Sequence, residues 1–224
     1  MRRYIYLTII AAFLCLLIFK SFKPDKSKMQ GIPAAISKKS SIEKRKIIAD
    51  TILLVAMSFD ETFLIDPIRN KISSFYQIPV KFIVSQLPAH AFFKQRNRYR
   101  ADSLLNYLHI LNNGRYRFVA GITSRDISCT NGPYPDWGIF GLGSLSGKGC
   151  VTSSFRLKRN ASRALLTERI QKVILHEIGH NCKLDHCTSP YPCFMKAADG
   201  KISQVDSEPM DMCKLCRQKA KIGK

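Results

Sequence analysis

The chain reads as an α/β fold of the α+β kind: a twisted mixed sheet, one long helix carrying the candidate site, and an irregular cysteine-rich end. Three observations predict it. The run Thr51-Ile52-Leu53-Leu54-Val55-Ala56-Met57 is rich in β-formers and long enough for a strand buried on both faces. Extended and amphipathic segments then alternate in the order β-α-β-α-β-β-α. Five of the eight cysteines follow residue 181, where helical periodicity stops.

The elements follow from the N-terminus. Arg2 and Arg3 precede an apolar run from Tyr4 to Phe19, which at about 1.5 Å per residue covers roughly 24 Å and barely spans a bilayer. The pattern is that of a membrane anchor or a signal segment over residues 1–20; Lys20-Ser21-Phe22-Lys23 offers no small-residue cleavage site and Cys15 follows the bulky Leu14, which favours the uncleaved anchor. Lys20, Lys23, Lys26, Lys28, Lys38 and Lys39 outnumber Arg2 and Arg3, which favours a cytoplasmic domain, with export as the alternative. Residues 21–46 have the composition of a basic linker, with Pro24, Gly31 and Pro33, suited to an anionic membrane surface. A single domain is expected over residues 47–224.

Within that domain the first strand is expected over residues 47–57 and a helix over 60–75, its first part limited by Pro67. A second strand is expected over 80–84. Leu104, Leu105, Leu108 and Leu111 share one stripe of a helix over 98–111, which Asn112-Asn113-Gly114 ends. Residues 116–122 make a third strand, and the Gly-rich alternation from Trp137 to Leu157 suggests extended edge strands. A last helix is expected to begin near Thr167, because Leu166, Ile170, Val173 and Ile174 recur at helical spacing and lead into His176.

Composition sets the outer limits of function. With 224 residues, 46% apolar, the chain has a core to bury. A net charge of +20 attracts anionic partners and mildly favours acidic peptides. Nucleic acid is disfavoured as a partner, because the positive charge forms no aromatic-interleaved stripe.

The chemistry concentrates in His176-Glu177-Ile178-Gly179-His180. Histidines four apart on a helix share a face, with Cβ atoms roughly 6 Å apart, so both imidazoles can meet one cation. Glu177 beside them suits a general base for a zinc-activated water. His186 offers a third nitrogen only if the helix ends first: six more helical residues would turn it by roughly 240° and carry it about 9 Å away. Downstream, Cys187, Cys193, Cys213 and Cys216, the last two in Cys-x-x-Cys, match a closed tetrahedral thiolate site, against the alternative of disulfides. Cys129 and Cys150 lie outside that pattern and are either a disulfide or two buried thiols. Cys182 is expected on a helix face packing near the site.

The run HEIGHNCKLDHC, followed by Cys193-Phe194-Met195 and by Cys213-Lys214-Leu215-Cys216, resembles the archaemetzincin family of zinc metallopeptidases. The resemblance implies a metzincin-like fold, His176, His180 and His186 as ligands of a catalytic zinc, and Glu177 as base. It further implies Met195 as the methionine beneath the metal, and a second, structural zinc on Cys187, Cys193, Cys213 and Cys216. Two departures stand out. Lys183 occupies the position where the family has glycine, and the Cys187-to-Cys193 spacing is one residue longer, with Pro190 and Pro192 inside it. The expected activity is hydrolysis of peptide bonds in a peptide or protein substrate, with the segment from Gly138 to Leu157 bordering the cleft. The alternative is a non-catalytic, zinc-stabilised binding protein with a degenerate site.

Overall fold

The structure is a computed structural model that describes residues 48–145 and 147–222. The expected anchor (1–20) and basic linker (21–46) lie outside the described residues. Among the described residues no helix is long and apolar enough to cross a membrane.

The apolar run becomes β1 (Ile48–Met57), flanked on one side by β2 (Val80–Ser85) and on the other by β5 (Tyr116–Thr123). Next come β9 (Gly149–Ser153) and β8 (Gly141–Gly143), giving the order β2-β1-β5-β9-β8. All pairings in this sheet are parallel except β8 with β9, so the strand at this edge runs against the rest. Because successive residues of a strand face opposite ways, β1 feeds two cores. Ile52, Leu54 and Ala56 meet the layer of α1 (Ile65–Tyr76) and α3 (Arg163–Asn181), whereas Leu53, Val55 and Met57 meet α2 (Ala101–Asn112). An unbroken apolar run is what a strand covered on both faces requires.

A smaller sheet, ordered β3-β4-β6-β7, is formed by β3 (Phe92–Phe93), β4 (Arg98–Arg100), β6 (Ile127–Asn131) and β7 (Tyr134–Ile139). The C-terminal part adds two short helices, α4 (Ile202–Ser207) and α5 (Lys214–Ala220).

Several sequence expectations need correction. Residues 98–100 are a strand, since Tyr99 and Arg100 pair with Ile127 and Ser128 and Asp136 holds the Arg98 guanidinium at 3.2 Å. The helix before them starts at Ile65, placing Pro67 in the first turn, where its missing N–H costs nothing. Of the glycine-rich segment, β8 is an edge but β9 is interior and fully buried between β5 and β8. The long helix begins at Arg163, four residues earlier than expected, because the Ser162 side chain accepts the Leu165 N–H as an N-cap at 3.2 Å.

Candidate active site

The last turns of α3 present His176 and His180, and the helix stops where a third histidine needs it to. Lys183 takes a left-handed conformation (φ 66°), its N–H donates to the His180 carbonyl at 2.9 Å, and the Leu184 N–H reaches back to Gly179 at 3.2 Å. This is a Schellman ending made without glycine, with buried Leu184 supplying the apolar contact. The chain turns, and His186 joins the other two: ring centroids are 4.7 Å apart for His176 and His180, 5.3 Å for His176 and His186, and 5.0 Å for His180 and His186.

Hydrogen bonding fixes what these rings offer. The Nδ1 of His176 lies 2.7 Å from the Phe194 carbonyl and that of His180 2.7 Å from the Leu184 carbonyl. A carbonyl only accepts, so each Nδ1 carries the proton and each Nε2 of a neutral ring carries a lone pair. Burial, reinforced by the like charge of His180, drives the His176 pKa down to about 3; burial lowers His180 as well. Two acceptor nitrogens therefore face each other at 3.0 Å. That contact is repulsive unless a cation sits between them. The three histidines bring ligand atoms within 4.8 Å of one another, and this donor set fits zinc.

Glu177 lies against the edge strand. A Cβ added at Gly141 would stand 2.5 Å from Glu177 Oε1, and one at Gly143 2.5 Å from the Glu177 carbonyl. Only glycines let β8 lie flush against the carboxylate. Burial raises the Glu177 pKa to about 8, against the lowering effect of the Gly143 N–H. Asn181, next to His180, pins the same hairpin, its amide donating to the carbonyls of Ser144 (3.0 Å) and Gly149 (2.8 Å).

Beneath the helix, Met195 is fully buried and packs against Gly179, where a Cβ would overlap its sulfur. Met195 belongs to the tripeptide Cys193-Phe194-Met195, which serves both halves of the site. Its Phe194 carbonyl orients His176, and its Met195 carbonyl accepts the N–H of Cys187 at 2.8 Å. Cys187, Cys193, Cys213 and Cys216 form a second group with ligand atoms within 4.8 Å of one another. The sulfurs of Cys187 and Cys213 are 3.7 Å apart. A disulfide would be about 2.05 Å, whereas the edge of a tetrahedron with about 2.3 Å zinc–sulfur bonds is about 3.8 Å. The Cys213 thiol is lowered to about 7: burial opposes, but hydrogen bonds from the Cys216 N–H and neighbouring sulfurs prevail. Cys129 and Cys150 are free thiols, the first half-buried and the second fully buried. Cys182 caps the C-terminal end of α3 and packs against the larger core.

A cleft of about 320 Å³ opens over His176 and Glu177, lined by β6 to β8 and by residues 196–208. The three histidines, Glu177 and the four cysteines are thus brought together as two adjacent groups. Sequence reasoning missed Asn181 and the clamp of Gly141 and Gly143 on Glu177. The Gly-Leu-Gly spacing was visible, but its target lies more than 30 residues away.

The model of peptidase family M54 matches residues 50–222. This chain belongs to that family, the archaemetzincins. It is similar to the archaemetzincin of Methanopyrus kandleri, 30% identical over 156 residues, covering 69% of this chain and 85% of that protein. The archaemetzincin of Haloquadratum walsbyi is 30% identical over 140 residues, 59% of this chain and 76% of the relative. Among solved structures, the archaemetzincin of Methanopyrus kandleri aligns with a TM-score of 0.65 at 27% identity, covering 80% of this chain and 96% of that one. That of Archaeoglobus fulgidus aligns with a TM-score of 0.65 at 25% identity, covering 75% and 99%. Archaemetzincin membership makes the chain a zinc metallopeptidase with a peptide or protein as substrate.

Proposed function

We propose that this metallopeptidase works with His176, His180 and His186 as the ligands of the catalytic zinc and Glu177 as the general base. The observation that carries the reading is the pair of acceptor nitrogens at 3.0 Å with a third histidine beside them, next to a carboxylate sealed against the edge strand. Held by these three histidines, zinc would supply Lewis acidity to the scissile carbonyl and a water made acidic near neutral pH. Glu177 takes the proton from the attacking water and returns it to the departing amine. Its carboxylate stays in position for both transfers because Gly141 and Gly143 leave it no room to swing towards β8. The outer edge of β8 pairs with no other strand among the described residues, and an extended peptide adds there by backbone hydrogen bonds, its side chains entering the cleft. Cys187, Cys193, Cys213 and Cys216 would hold a second, structural zinc, which would fix the segment that orients His176. The same proposal keeps residues 1–20 as a membrane anchor, with the basic linker facing anionic lipid and the domain in the cytoplasm. Its support is the sequence pattern of apolar run and flanking lysines.

Zinc stoichiometry and peptide cleavage, measured on the wild type and on Glu177→Ala, test the assignment. Two zincs are expected in both proteins, with cleavage at least about 100-fold slower in the variant. Undiminished cleavage by the variant, or a single zinc in the wild type, overturns it.

A further inference from the structure

The cleft wall made by α4 and residue 208 carries a carboxylate that peptide hydrolysis leaves unused. Glu208 lines the cleft yet is only 9% exposed. Its oxygens take hydrogen bonds from neutral donors: the Gln204 side-chain amide at Oε1, and the Cys193 N–H at Oε2, 3.2 Å away. None of the ion pairs among the described residues includes Glu208.

The base on that wall, Lys172, is already committed. Its ammonium has three N–H groups, and they meet Glu168 Oε1 at 2.7 Å and the carbonyls of Val205 and Asp206 at 3.1 and 3.3 Å. Apart from Glu177, which the catalytic reading already uses, the other charged side chains on the cleft are Lys196 and Asp199, opposite in sign and more exposed than Glu208. A carboxylate removed from water is costly unless a cation meets it. Glu208 lines the substrate cleft, where a cationic side chain can reach it.

We propose that Glu208 is a specificity-determining residue that selects a lysine or arginine side chain at one of the two positions flanking the scissile bond. This rests on the peptidase reading of the cleft. Val173, Phe140 and Val205 supply apolar surface along the same cleft for the aliphatic stem, leaving the charged end to reach the carboxylate. A carboxylate in a specificity pocket is a general device for choosing basic side chains. The net charge of +20 repels cationic peptides from afar, but that field is screened beyond about 8 Å in physiological salt, whereas a desolvated contact is not. The preferred substrate is therefore a peptide with one basic residue at the cut in an otherwise neutral or acidic sequence.

The test uses the zinc-loaded protein and a peptide library that varies both flanking positions, read by mass spectrometry. In the wild type, lysine or arginine at one position is expected to exceed norleucine there by about tenfold or more in kcat/KM. Glu208→Gln keeps an acceptor for the Cys193 N–H and is expected to bring that ratio close to one. Glu208→Lys should turn the preference towards glutamate. The ratio is internal to each enzyme, so a change in overall rate does not mask it. Cleavage by the wild type without a basic preference, or a preference that survives in Glu208→Gln, overturns the proposal. Absence of cleavage of every peptide overturns the mechanism on which it rests as well.

Discussion

Lys183 occupies a backbone position where the three-histidine group depends on a left-handed residue. Its φ of 66° lets the helix end and His186 return, and its exposed side chain takes no part. For a residue with a Cβ this conformation costs roughly 1 to 2 kcal/mol, which the buried turn and a bound metal can absorb. Lys183→Gly should therefore raise the midpoint of thermal unfolding. The expected gain is about 1 kcal/mol, after part of it is lost to the freer unfolded chain. Zinc content should not change. A lower midpoint, measured by calorimetry, would show that the lysine side chain stabilises the turn by a contact of its own. The three histidines and Glu177 were legible in the sequence because their spacing on a helix, and the break required before His186, are local properties. Glu208 was not legible. Its proposed role rests on having only neutral hydrogen-bond partners among the described residues, which only the folded chain reveals.

At the scale of elements, α3 and α4 are joined by a buried guanidinium. Arg169, with 5% of its side chain exposed, grips Asp206 through two bonds of 2.7 and 2.8 Å and also donates to the carbonyls of Leu157 and Arg159. Removing it in Arg169→Ala should cost about 3 kcal/mol, since two carbonyls and a carboxylate lose their partner. The same pair gives a pH dependence of definite sign. The Arg169 hydrogen bonds hold the Asp206 carboxyl below its usual range, with burial opposing. A depressed folded pKa contributes stability that is present above the unfolded value near about 4 and is lost as the pH falls through the folded one. Urea midpoints followed from pH 6 to pH 3 should thus fall more steeply for the wild type than for Asp206→Asn; parallel curves would refute the coupling. Elements with strong periodicity were visible beforehand: β1 by its apolar run, and α2 by the leucine stripe and its Asn-Asn-Gly end. Those set by distant partners were not. β6 is short and partly polar, β4 owes its conformation to Asp136 and to pairing with β6, and β9 looks like an edge until β8 is seen outside it.

For the molecule as a whole, two parts differ in what stabilises them. The five-stranded sheet with α1, α2 and α3 supplies most of the apolar core, whereas residues 185–222 add Phe194, Met195, Val205 and Met212 to it and contain two helices, of six and seven residues, and the four-cysteine group. Short helices are marginal without an external constraint, so the proposed structural zinc has its largest effect there. Cys216→Ser should lower zinc from two ions to one. Limited proteolysis should then cut within residues 185–222 while a core starting near residue 48 survives. Equal protease resistance in variant and wild type would mean that side-chain packing alone holds this part.

The tripeptide Cys193-Phe194-Met195 joins the cysteine group and the histidine group within three residues: its first thiol belongs to one, and its central carbonyl orients a histidine of the other. If both groups take the proposed zinc ions, occupancy at the cysteines should alter affinity at the histidines, and thermodynamic linkage makes such an effect reciprocal. A chelator titration would accordingly yield an apparent constant for each ion that depends on whether the other is in place. Peptide hydrolysis would fade before the sheet unfolds, because a loosened Phe194 carbonyl releases His176 from its working tautomer long before the core behind it is disturbed.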